Sequence, residues 1–158
     1  MSQKNRILIA LAALVLLATI ILGIDFLQRR AIANEMVPGS IPIYLKGRLV
    51  GSFLPTDLET LTQVSFVDDE GGKTQEGWML REVLLLHITA DTLHNKSVTV
   101  SSSSREKSHT LTWAEIDDAN NMVMFDLSGR GTLKLVSKIP GFDTRDAWVQ
   151  DVDRIDVE

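Results

Sequence analysis

The side chains able to do chemistry in this chain are few, and their spacing excludes more than it offers. The three histidines, His87, His94 and His109, show no HxH or HExxH spacing, so no local frame presents two imidazoles to one metal. His87 closes an apolar helical stretch, where a cation facing helix carbonyls or a satisfied polar group accounts for it. Ser101-Ser102-Ser103-Ser104 lacks the glycine frame of a nucleophile elbow and reads as a hairpin loop. Asp68-Asp69-Glu70 and Asp117-Asp118 offer hard oxygens of the kind calcium takes. Neither follows the EF-hand spacing, and both read as solvated turns. Arg130, Lys134 and Lys138 are the best anion contacts, with Lys134 and Lys138 at outward positions on and after a strand. The chain has no cysteine, which removes disulfides, thiolate nucleophiles, iron–sulfur clusters and a lipoprotein anchor. These residues imply no catalytic group, no metal ligand and no cofactor.

Charge narrows the partners further. Of 16 basic and 21 acidic side chains, the first 33 residues take four and one, which leaves 12 against 20 and a net charge of −8 beyond them. Phosphate backbones are bound by concentrated Lys and Arg, so a nucleic-acid partner is not expected.

The N-terminus locates the chain. Ile7 to Ile24 is an uncharged run of mostly Leu, Ile, Ala and Val, about 27 Å long as a helix and close to the roughly 30 Å hydrocarbon core. Asp25-Phe26-Leu27 completes the crossing. The run exceeds the h-region of a cleaved signal peptide, and the small-residue stretch Ala31-Ile32-Ala33 lies well past its end, which favours an uncleaved anchor. The expected organisation is a cytoplasmic tail at 1–6, a transmembrane helix at 7–27, a tether at 28–40 and one domain at 41–158. With a six-residue tail, the N-terminus stays inside. The domain then lies on the extracytoplasmic, periplasmic side of the cytoplasmic (inner) membrane. The lipid bilayer is thus a partner through residues 7–27.

The domain reads as small alternating elements that fold onto a short amphipathic helix, Glu76 to Leu86. Leu80, Val83, Leu84 and Ile88 fall on one helical face. Such a stripe is buried only if the flanking strands fold back on it. Ile41–Leu45 is a strand whose Pro42 suits an edge, followed by a turn at Lys46-Gly47-Arg48. Thr56 and Glu59 form a capping box for a helix over 57–61. Val64 and Phe66 share a face of a strand that ends in the acidic turn at 68–72. Ser97–Ser101 alternates cleanly, the polar loop 102–107 turns the chain, and His109-Thr110-Leu111 pairs back. Thr112 and Glu115 cap a helix over 113–119. Strands follow at 122–125 and 133–136, and a last one runs from Trp148 to Val157 with Ile155 and Val157 inward. Trp78, Trp113 and Trp148 each start an element and are expected in the core.

The ordered set resembles a known family. Lys46-Gly47, a capped helix ending at Leu61, Val64–Val67 and Gly77-Trp78-Met79-Leu80-Arg81-Glu82-Val83-Leu84 come in turn. Val98-Thr99-Val100, Thr112–Ile116, Gly131–Val136, Pro140-Gly141, Trp148-Val149 and Arg154–Val157 follow them. This order resembles the molybdopterin-binding domain of the sulfite oxidase family, especially its small stand-alone relatives, over residues 41–158. The resemblance implies an α+β fold with a mixed sheet of that type. It also implies a departure: the family's enzymes hold molybdenum through a cysteine soon after the strand resembling Val64–Val67, and here that place carries Asp68-Asp69-Glu70. Three carboxylates repel an anionic dithiolene phosphate cofactor.

The expected protein is therefore a single-pass membrane protein whose domain has lost the metal chemistry. The leading functional reading is a non-catalytic accessory subunit beside an integral membrane protein partner, in a transporter or respiratory assembly. The rival is a small-ligand-binding module that uses the remnant cofactor cleft. A molybdopterin oxidoreductase comes third.

Overall fold

The chain enters its first strand through a turn at Pro38-Gly39, as the breaker residues there predict. The computed structural model describes residues 37–158, and Pro38–Glu158 form one compact unit. The expected tail at 1–6, the membrane helix at 7–27 and the tether up to residue 36 lie outside the described residues. No helix among the described residues is long and apolar enough to cross a membrane.

The unit is mixed α+β, with two sheets and a few short helices. Strands β1 (Ile41–Leu45), β2 (Arg48–Phe53), β5 (Ser97–Ser102), β6 (Lys107–Thr112) and β9 (Arg154–Val157) form one sheet in the order β2-β1-β9-β5-β6. All its pairings are antiparallel except β1 with β9. Strands β3 (Val64–Val67), β4 (Thr74–Met79), β7 (Met124–Leu127) and β8 (Leu133–Val136) form a second, fully antiparallel sheet in chain order. Helices α1 (Leu80–Leu85), α2 (Ala90–Leu93) and α3 (Trp113–Asp117) complete it, with 3-10 turns at Pro55–Thr60 and Ala119–Asn121.

Local chemistry explains these elements. Lys46 and Gly47 both take positive φ, 49° and 72°, the mirror-image turn that matches the twist of a two-residue hairpin. In β5, Val98, Val100 and Ser102 are buried between half-buried neighbours, the period of two that the alternation predicts. At α3 the Thr112 hydroxyl accepts from Glu115 N–H, and the Glu115 carboxylate accepts from Thr112 N–H at 2.7 Å. The predicted capping box is therefore formed. Leu80, Val83, Leu84 and Ile88 are all buried, so the predicted stripe of the central helix does face the core. Six residues are too few to be helical alone. Burial of about 1.5–3 kcal/mol per large apolar side chain is what holds α1 in place. Both sheets and the helices share one core, and Phe53 of the first sheet meets Phe125 of the second with ring centroids 6.1 Å apart.

Several expectations are corrected. Glu76 to Met79 is strand rather than helix, and the helix spans Leu80–Leu85. Gly77 sits so close to β7 that a Cβ there would lie 1.7 Å from Phe125 O, which explains a glycine in mid-strand. β1 is not an edge. It lies between β2 and β9, but pairing with β9 begins at Ile43, one residue past Pro42, so the missing N–H breaks no ladder there. The 55–60 turn is capped by Asp57, whose carboxylate accepts from Leu54 N–H at 2.8 Å. Pro55 starts the turn early and displaces the Thr56/Glu59 frame. α3 stops at Asp117, because Asp118 caps the next turn through Asn120 N–H. Met122 adopts a left-handed φ of 47°, so β7 starts two residues later than the hydropathy suggests. The last strand is only Arg154–Val157, with Ile155 and Val157 inward as expected. Trp148-Val149 contributes a single bridge, Leu135 to Val149.

Candidate functional site

β4 and β8 each send a polar side chain to the same side of the second sheet, and those two meet. Gln75 is buried on β4, and its Oε1 accepts from the Lys134 ammonium at 2.7 Å. Lys134 lies opposite Asp126 in the β7–β8 register and pairs with its carboxylate at 2.8 Å. The same ammonium stands 5.0 Å from the centroid of the Trp148 ring. Lys134 lies on the face opposite Leu133 and Leu135, as the alternation predicts, but it is half-buried and engaged on three sides rather than solvated.

Gln75 also reaches the turn after β3. Its Nε2 donates to Asp68 Oδ2 at 2.7 Å, and Arg145 Nη2 donates to the same oxygen at 3.0 Å. Oδ1 accepts from Gly71 N–H. Asp68 is therefore buried, which corrects the solvated-turn expectation for this residue; Asp69 and Glu70 remain exposed. Burial by itself would raise the Asp68 carboxyl. The hydrogen bonds from Arg145, Gly71 and Gln75, together with the guanidinium charge, outweigh it and hold the pKa at about 2 against an ordinary 3.8. Glu70 accepts from the Arg145 backbone N–H at 2.9 Å, so the acidic turn seats the 142–150 loop twice.

In front of these groups lies an open depression of about 270 Å³, lined by Lys73, Gln75, Lys134, Arg145, Trp148 and Gln150 among others. Of the three anion contacts expected from sequence, Lys134 alone lines it. Arg130 sits 67% exposed in the β7–β8 turn, 3.9 Å from Asp151, in a separate cluster where Asp151 is held by Thr132 and Arg105 at 2.7 Å each. Hydrogen bonds from Thr132 and then Arg105 keep the Asp151 carboxyl below its usual value. Lys138 is exposed beyond β8, its backbone N–H bonded to Asn121 O. Sequence reasoning missed Lys73, Gln75 and Arg145. A buried glutamine within a strand carries a weak signal, but nothing local marks Arg145, which meets Asp68 across 77 residues.

Of the remaining candidates, His94 and Asp117 line a second open depression of about 670 Å³, together with Trp113 and Glu158, and the others are dispersed. His87 lies against Gly51 with Nε2 buried and unpartnered among the described residues, and burial lowers its pKa. His109 stacks on Phe142 at 3.7 Å between centroids, and burial also lowers its pKa. His94 is exposed. Ser101 and Ser102 belong to β5, with Ser102 buried, so only Ser103 and Ser104 are loop. Asp117 pairs with Arg81 at 2.6 Å. No three His, Asp or Glu side chains among the described residues converge as a metal-ligand set. Trp78, Trp113 and Trp148 are all in the core, as expected. No protein-family model matches the chain, and a search of curated proteins finds no match.

Proposed function

We propose that the chain is a membrane-anchored, non-catalytic accessory or interaction subunit of a larger membrane complex. Residues 7–27 would hold the 41–158 domain at the outer face of the cytoplasmic membrane. The observation that carries the non-catalytic part is Asp68. In the sulfite oxidase-type enzymes that this order of elements resembles, a cysteine soon after the corresponding strand holds molybdenum. Here the residue directly after β3 is a carboxylate whose two oxygens are taken by Arg145, Gln75 and Gly71. Its charge is balanced and its lone pairs are engaged, so the residues at this place do not fit a thiolate-held molybdenum centre. A short tether from the apolar run keeps the domain near the bilayer. Confinement raises its effective concentration toward an integral membrane protein, so a modest interface suffices.

The test is purification of the full-length protein from its native membrane under mild solubilisation, with analysis of copurifying proteins, metal and pterin. An integral membrane protein at near-stoichiometric yield, without molybdenum or pterin, is the expected result. Stoichiometric molybdenum would overturn the reading. A small molecule retained without any protein partner would favour the ligand-binding module instead.

A further inference from the structure

Lys73, Lys134 and Arg145 bring three positive charges to one depression, in a region where acidic side chains outnumber basic ones 20 to 12. No carboxylate lines it. The acids that pair with these cations sit behind the surface: Asp68 has no exposed side-chain area and Asp126 has 14%.

Those pairs leave donors unused. Arg145 gives one Nη2 hydrogen to Asp68, while its Nε and Nη1 hydrogens meet no acceptor among the described residues. Lys134 gives hydrogens to Asp126 and Gln75, which leaves one of its three without a hydrogen-bond acceptor among the described residues. Lys73 forms no ion pair with any described residue. Thr74 and Gln150 add a hydroxyl and an amide to the lining.

We propose that this depression binds a phosphate-type oxyanion, either the free ion or a monoester, through Arg145, Lys134 and Lys73. A tetrahedral oxyanion presents several oxygens to satisfy. A guanidinium edge with two N–H groups, flanked by two ammonium groups, supplies donors of that number and charge. Arg145 and Lys134 are already immobilised by their carboxylates, so binding orders little beyond the Lys73 side chain. At about 270 Å³ the space is below that of a drug-sized pocket and suits a small ion or one charged group. Because Asp68 and Asp126 neutralise two of the cations, the free charge comes from Lys73, and affinity is modest and salt-sensitive. The site stands apart from the membrane-subunit reading: it needs neither the family resemblance nor a partner.

The experiment is calorimetric titration of the full-length protein in detergent with inorganic phosphate and with glycerol 3-phosphate, at constant ionic strength. Saturable binding is expected with at least one of them, and the tighter probe tells free ion from ester. Lys73→Gln should weaken binding about tenfold, as loss of one charge-assisted contact does. Lys138→Gln, at another exposed lysine that lies outside the depression, should bind as the parent does. Both variants should melt with the parent, because both side chains are surface ones. Absence of saturable binding, equal competition by chloride, or equal loss in Lys138→Gln would overturn the site.

Discussion

The Asp68 carboxylate and the Arg145 guanidinium meet at 3.0 Å across 77 residues, which ties the turn after β3 to the loop between β8 and β9. The two partners are not equivalent. Asp68 has no exposed side-chain area, whereas Arg145 is 37% exposed. Removal of the arginine leaves a buried carboxylate short of a charge partner, while removal of the acid's charge leaves a guanidinium that water reaches. Arg145→Met should therefore lower the melting temperature by several degrees at neutral pH, and Asp68→Asn by less. Thermal melts of the two variants check the order; a larger loss in Asp68→Asn would show that burial of the acid is not what the pair supports.

The same pair sets a pH window. The Asp68 pKa is about 2 in the folded protein against 3.8 as its ordinary value, so the unfolded chain takes up the proton first as pH falls. Its stabilisation is fully present above the ordinary value and is lost as pH falls from there toward about 2. The stability gap between the parent and Asp68→Asn should be constant from pH 7 to about 5 and close between about 4 and 2. Denaturant melts across that range measure it, and a gap that persists at the acid end would contradict the assignment.

Local rules made part of this arrangement readable. The β5 alternation, the Thr112–Glu115 cap and the Leu80–Ile88 stripe each depend on neighbours within a few residues, and each is found as expected. The errors lie where tertiary contact overrides a local signal. The helical pattern absorbs Gly77-Trp78-Met79 because nothing local shows that β7 approaches Gly77 closely. Pro42 suits an edge, yet the chain's last strand pairs alongside β1 just beyond it. The depression is built the same way: Lys134 was legible as a cation on a strand, but Arg145 and Lys73 reach it only through the β3–β4 turn and the 142–150 loop.

That close approach at Gly77 is open to test. A methyl group there would lie 1.7 Å from a backbone carbonyl, which no side-chain rotation relieves. Gly77→Ala should cost about 3 kcal/mol by separation of β4 from β7, at the upper end for overpacking. Chemical denaturation checks the loss, and amide exchange should show it concentrated in the Gly77–Asp126 to Met79–Met124 pairing. A loss under about 1 kcal/mol would mean that the two strands are further apart than described.

The core cluster of the described residues runs from Ile41 to Val157 and draws on both sheets and all three helices, all of which follow the Pro38-Gly39 turn. A fragment of residues 34–158 should thus be soluble and unfold cooperatively, with a stability within the usual range of about 5–15 kcal/mol. Leu84 supplies the control. It is fully buried on α1, and Leu84→Asp would place an unpaired carboxylate in the core at a cost of several kcal/mol, enough to abolish or nearly abolish the cooperative transition. A sigmoidal melt for the fragment and a broad, shallow one for its Leu84→Asp variant are the expected pair of curves. If the fragment yields only aggregates, the first 33 residues contribute to folding. If the Leu84→Asp fragment melts within a few degrees of the parent, α1 does not hold the two sheets together.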